Sequence, residues 1–135
     1  MRSGLTFFLD RGLGSRTVAN GLRASEWSIT TMDERYGTDA SQDVDDVDWI
    51  RDASGRGEIL LSKDRAIAKR PLEAEAIYYS SARVLVVASA NITGPQMLTR
   101  LLSNASSIER LCDRNGPWVF GVYEDRVGAI RLNYP

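Results

Sequence analysis

At 135 residues, 43% hydrophobic and with a net charge of −1, the chain fits one compact domain spanning residues 1–135 around a single core. It contains no histidine, which excludes the usual general base, the commonest zinc ligand and every histidine-assisted nucleophile, so any catalysis falls to carboxylates, lysine or tyrosine. A lone cysteine, Cys112, excludes an intrachain disulfide, and an N-terminal apolar run of only a few residues is too short for a signal peptide or membrane span; the expectation is a cytoplasmic protein with no membrane attachment.

Residues 5–9 form an apolar, β-prone run that stops at Asp10 and leads into the turn-rich Arg11-Gly12-Leu13-Gly14-Ser15. Ser15 can cap a helix whose stripe is Val18, Ala19, Leu22 and Ala24, ending near Ser25. A second strand is predicted over 27–32, and the polar stretch 36–44 reads as loop. The next helix begins near Asp46. Advancing 100° per residue puts Trp49, Ile50 and Ala53 within about 60° of Asp46 and sends Asp48 and Asp52 to the opposite, wetter side. Gly55 and Gly57 end that helix, and Ile59-Leu60-Leu61 forms a short apolar run suited to a buried parallel strand over 58–62.

Residues 65–82 are helical in composition, with Pro71 favouring a break or a fresh start. A strand over 83–88 follows. Gly94-Pro95 opens a long helix whose stripe runs from Met97 through Leu101 and Ile108 to Cys112. Segments 118–123 and 127–132 flank Glu124-Asp125-Arg126 as a closing β-hairpin. Strands alternating with helices imply an α/β fold: a mostly parallel central sheet covered on both faces.

The charges are segregated. Residues 33–52 hold eight acids against Arg35 and Arg51, which leaves ten acids and fifteen bases elsewhere. Two strands run into aspartates, Asp10 directly and Asp64 after one residue, and in open α/β sheets the carboxyl ends of strands line the ligand crevice. Asp46 starts the helix leading into the second of those strands. An aspartate at a strand end or helix start commonly serves local hydrogen bonding alone; the joint placement of three is what suggests a site. Crowded carboxylates are stabilised by a divalent cation, and hard oxygen donors suit Mg2+ or Mn2+, which points to phosphodiester hydrolysis through one ion or two. Asp43, Asp45 and Asp48 read as solvated charges, Asp48 being the reserve ligand. Arg11, Arg16, Lys63, Arg65, Lys69 and Arg70 flank the acids and could hold phosphates. The Gly12-x-Gly14 turn could offer backbone N–H groups to an anion but is no dinucleotide fingerprint.

The pieces Phe7-Phe8-Leu9-Asp10-Arg11-Gly12, Asp46-Val47-Asp48-Trp49-Ile50 and Ile59-Leu60-Leu61-Ser62-Lys63-Asp64 resemble the PIN-domain family, in particular the compact PIN-like branch found among VapC-type ribonuclease toxins. The resemblance covers roughly the first half of the chain. It implies a PIN-like three-layer sandwich and a Mg2+- or Mn2+-dependent endoribonuclease whose acidic site uses Asp10, Asp64 and an acid of the middle helix, for which Asp46 is the choice. It also implies a small antitoxin partner and often a toxin homodimer. The family's Thr-x-Asp-x-Asp pattern appears here as Ser62-Lys63-Asp64-Arg65-Ala66, with alanine where a fourth acid would stand. Two alternatives remain: a catalytically weak or inactive PIN-like module that binds RNA or protein, and a phosphatase or small-molecule hydrolase using the same acids.

Overall fold

Six strands build one sheet in the order β2-β1-β3-β4-β5-β6 in the computed structural model, which describes residues 1–13, 16–87 and 91–135. Strands β1 (Thr6–Leu9), β2 (Ser28–Thr31), β3 (Ile59–Ser62), β4 (Arg83–Val86) and β5 (Trp118–Val122) run parallel, and β6 (Val127–Ala129) returns antiparallel along β5. The expected mostly parallel sheet with a C-terminal hairpin is therefore present. Helices α1 (Arg16–Ala24), α2 (Met32–Tyr36), α3 (Asp46–Gly55), α4 (Pro71–Tyr79), α5 (Gly94–Ser103) and α6 (Ala105–Leu111) connect the strands.

Strand alternation decides which helix layer each side chain meets. Phe7, Leu9, Ile59, Leu61 and Leu85 pack with Val18 and Leu22 of α1, Met97 and Leu101 of α5, and Ile108 of α6. Phe8, Leu60, Val84 and Val86 pack on the other face with Trp49, Ile50 and Ala53 of α3 and Ala76 and Ile77 of α4. Each fully buried side chain of this kind contributes about 1.5–3 kcal/mol. The two cores explain why residues 7–9 of β1, 59–61 of β3 and 84–86 of β4 are apolar at successive positions rather than at every second one. Cys112 is an ordinary member of the first core.

Three departures from the sequence expectations have a local reason. Met32 starts α2 rather than ending β2, because Thr31 and Glu34 form a capping box: the Thr31 hydroxyl accepts from the Glu34 N–H, and the Glu34 carboxylate accepts from the Thr31 N–H at 2.9 Å. The single long helix predicted from residue 94 to Cys112 is two, broken at Asn104. Its buried amide donates at 2.8 Å to the carbonyls of Arg100 and of Tyr123, which stitches the break to the hairpin. β6 ends at Ala129, short of the predicted residue 132, although the Ile130 N–H still donates to the Val119 carbonyl at 2.9 Å. Pro71 does start a fresh helix, at its first position. The proposed Ser15 cap, Gly14 and the end of the fourth strand at Ala88 lie outside the described residues.

The strand order reverses at β1, flanked by β2 on one side and β3 on the other. Crossovers on opposite faces part there, and the carboxyl ends of β1 and β3 open a crevice.

Candidate active site

Asp10 follows β1 directly and is 7% exposed. Its backbone N–H donates to the Leu61 carbonyl at 3.0 Å, extending the β1–β3 ladder by one residue. Two residues beyond Phe8, Asp10 meets Ser62, two beyond Leu60: the Ser62 hydroxyl donates to Asp10 Oδ2 at 2.6 Å. The Gly12 N–H donates to Asp10 Oδ1 at 2.6 Å, so the amide that the sequence offered to an external anion is directed to Asp10 instead. Burial holds the Asp10 carboxyl above its usual pKa against the opposing pull of the Ser62 and Gly12 donors.

Ser62 also accepts the Asp64 N–H at 3.0 Å, tying the second acid to the first. Asp64 in turn caps the short 3₁₀ turn Arg65–Ala68, accepting the Ala66 N–H on Oδ1 at 3.0 Å. Asp46 lies in the first turn of α3 and accepts the Trp49 indole N–H at 2.9 Å, so the core tryptophan orients it. Asp10, Asp46 and Asp64 line one cleft of about 400 Å³ with Arg11, Gly12 and Lys63. Arginines share it with them. Arg70 Nη2 donates to Asp64 Oδ2 at 2.6 Å and to Asp46 Oδ2 at 3.3 Å, while its Nε donates to Glu73 Oε2 at 3.0 Å. Arg11 donates to the carbonyls of Ser41 and Val44 and stands 3.5 Å from Asp46 Oδ1.

With this geometry in view, comparison with known proteins is decisive. The family model described as "PIN like domain" matches residues 5–89, which include every side chain of the cleft. The chain belongs to the PIN-like domain family. The PIN-like chain is also 31% identical over 123 residues to "Putative ribonuclease VapC45" of Mycobacterium tuberculosis (strain ATCC 25618 / H37Rv), covering 91% of this chain and 89% of that protein. No solved structure matches it.

Not every residue singled out from the sequence reaches this PIN-like cleft. Asp48 is exposed and borders the neighbouring depression with Asp45, Arg51, Leu72, Glu73 and Glu75; Asp43 is exposed as well. Lys63 is exposed on the cleft wall. Arg65 points elsewhere, donating to the Tyr123 hydroxyl at 3.0 Å, and Arg16 is exposed at the start of α1. Sequence reading overlooked Ser62, Glu73 and the bridging role of Arg70. A serine at an inward position beside a strand-end aspartate was the available signal for the first; nothing local marks the others.

The donor set is chemically suited to a hard divalent ion: carboxylates from three elements, with no histidine in the chain and the cysteine in the opposite core. Among the described residues no three acidic or thiol side chains converge closely enough to hold an ion, and the guanidinium of Arg70 occupies the gap between Asp46 and Asp64. A cationic group is thus already held between these two carboxylates. Among the described residues, no helix is long and apolar enough to cross a membrane.

Proposed function

We propose that this PIN-like chain is a Mg2+- or Mn2+-dependent endoribonuclease of the VapC type, the toxin half of a type II toxin–antitoxin pair that hydrolyses RNA phosphodiester bonds in the cytoplasm. The observation that carries the reading is the shared cleft of Asp10, Asp46 and Asp64 at the carboxyl ends of β1 and β3. The relative bearing a ribonuclease name, matched over nearly its whole length, supports the same chemistry.

In this mechanism Asp10 is the anchoring ligand, its two oxygens fixed by Gly12 and Ser62. Asp46 and Asp64 complete the acidic shell. A bound divalent ion supplies a water of lowered pKa and neutralises charge on the phosphate. Lys63 on the cleft wall contacts an RNA phosphate, while Arg16 and Arg65, outside the cleft, are left as more distant phosphate partners. Arg11 chiefly braces the segment before α3, through the Ser41 and Val44 carbonyls. A small antitoxin protein, and a second copy of the chain, are the partners of this reading.

A second reading is a PIN-like module that binds RNA or protein without cutting; the Arg70 bridge across two of the three acids and Ala66 in place of a fourth favour it. Structured RNA incubated with Mn2+ or Mg2+ separates the two. Cleavage abolished by chelator and by Asp10→Asn or Asp64→Asn is the expected result. Undiminished cleavage under either condition overturns the mechanism, and retention of RNA without cleavage favours the binding module. Free nucleotides run in parallel test for a small-molecule hydrolase.

A further inference from the structure

Arg70 is placed as a counter-ion and tethered there. It is the residue before α4, whose first helical position is Pro71. One nitrogen spans Asp64 Oδ2 at 2.6 Å and Asp46 Oδ2 at 3.3 Å. Another is held at 3.0 Å by Glu73, one helical turn on, whose side chain is 17% exposed. The Arg70 side chain is itself 41% exposed, so it can leave toward water without opening the core. Like any cation between two carboxylates, it relieves the repulsion that a divalent ion would otherwise relieve.

We propose that Arg70 is an internal cation that competes with the divalent metal for Asp46 and Asp64, with Glu73 as the tether that returns it to the cleft. The proposal rests on the reading of those aspartates as metal ligands. Two positively charged occupants of the same oxygens are linked reciprocally: whatever holds Arg70 in place weakens the metal by the same factor. Metal binding thus requires the side chain to swing out, toward the mouth of the cleft where an RNA phosphate would approach. In the metal-free protein the same contact stabilises the acid pair.

Calorimetric titration of the purified chain with Mn2+ alone, for wild type, Arg70→Gln and Arg70→Lys, tests this without relying on cleavage. Removing a partly exposed competitor of this kind is expected to tighten Mn2+ binding by about three- to tenfold in Arg70→Gln, with Arg70→Lys between it and wild type. The rise in Tm on adding Mn2+ is expected to be larger in Arg70→Gln, whose metal-free acid pair has lost its counter-charge. Equal or weaker binding by Arg70→Gln overturns the proposal while leaving the metal reading intact. No binding by any of the proteins overturns the metal reading and this proposal with it. Should Arg70→Gln fail to fold, Glu73→Gln is read in its place: tighter binding by a smaller factor supports the tether, and unchanged or weaker binding overturns it.

Discussion

The Ser62 hydroxyl donates to Asp10 Oδ2 at 2.6 Å across neighbouring parallel strands, joining residues 52 positions apart in the chain. Ser62 is fully buried, and the same oxygen accepts the Asp64 N–H, so one small side chain sets the orientation of two acids. Ser62→Ala is expected to lower RNA cleavage by about 10–100-fold, the usual effect of removing a supporting partner of a metal ligand. Initial cleavage rates at saturating Mn2+ measure it; a rate within twofold of wild type would show that Asp10 needs no such support.

Arg35 and Glu58 form a second buried polar contact, away from the cleft. Their side chains are 11% and 8% exposed, the guanidinium donates to both Glu58 oxygens at 2.5 and 2.6 Å, and it lies 4.6 Å from the Phe8 ring centroid. Removing Glu58 leaves the largely buried guanidinium only the more distant Asp52, at 4.0 Å, so Glu58→Leu is expected to lower stability in urea unfolding by up to about 3 kcal/mol. The pair Arg35→Met with Glu58→Leu is expected to recover most of that loss, because an apolar pair requires no desolvated charge. A double variant as unstable as Glu58→Leu alone would contradict this account.

Gly21 in α1 faces Leu98 of α5 so closely that an added Cβ would stand 2.2 Å from Leu98 Cδ2. In an open helix Gly→Ala gains about 1 kcal/mol; here overpacking, typically ~1–3 kcal/mol, outweighs it. Gly21→Ala is therefore expected to be destabilising on its own, and less so when Leu98 is shortened to alanine. Additive losses in that double-mutant cycle would mean that the two helices do not meet as described.

Tyr36 donates its hydroxyl to Asp52 at 2.9 Å, and burial together with that carboxylate pushes its pKa up to about 12. Tyr134, whose hydroxyl donates to the Tyr79 hydroxyl, is also pushed up to about 12. Tyr36 should thus ionise late when absorbance is followed at high pH, and Tyr36→Phe should remove that late component. Because the folded-state value lies above the ordinary 10, the contribution of Tyr36 to stability is complete below pH 10 and is lost as pH rises toward 12. The stability gap between wild type and Tyr36→Phe is expected to narrow over that interval. A constant gap would indicate that the Tyr36–Asp52 contact is absent in solution.

Much of this architecture was legible locally. Continuous apolar runs placed the central strands and period-3.6 patterns the main helices; Pro71 marked a helix start, and the angular position of Asp46 with Trp49, Ile50 and Ala53 put it at the edge of a buried face. Misreadings occurred where a side chain overrides the pattern. The Thr31–Glu34 capping box was present in the sequence but lay inside an apparently continuous strand. Asn104 sits within an unbroken apolar stripe, and only its bond to the distant Tyr123 carbonyl reveals why the helix stops there.

Sequence by itself determined the α/β layering and the delivery of Asp10 and Asp64 to the ends of adjacent strands, because both follow from short-range periodicity and from the rule that parallel strands present their carboxyl ends together. Only the tertiary structure decided that Ser62 couples the acids and that Arg70 lies between two of them. These are contacts of a few ångströms between residues as far as 24 and 52 positions apart, and an electrostatic energy that varies with distance is set by packing, not by spacing along the chain.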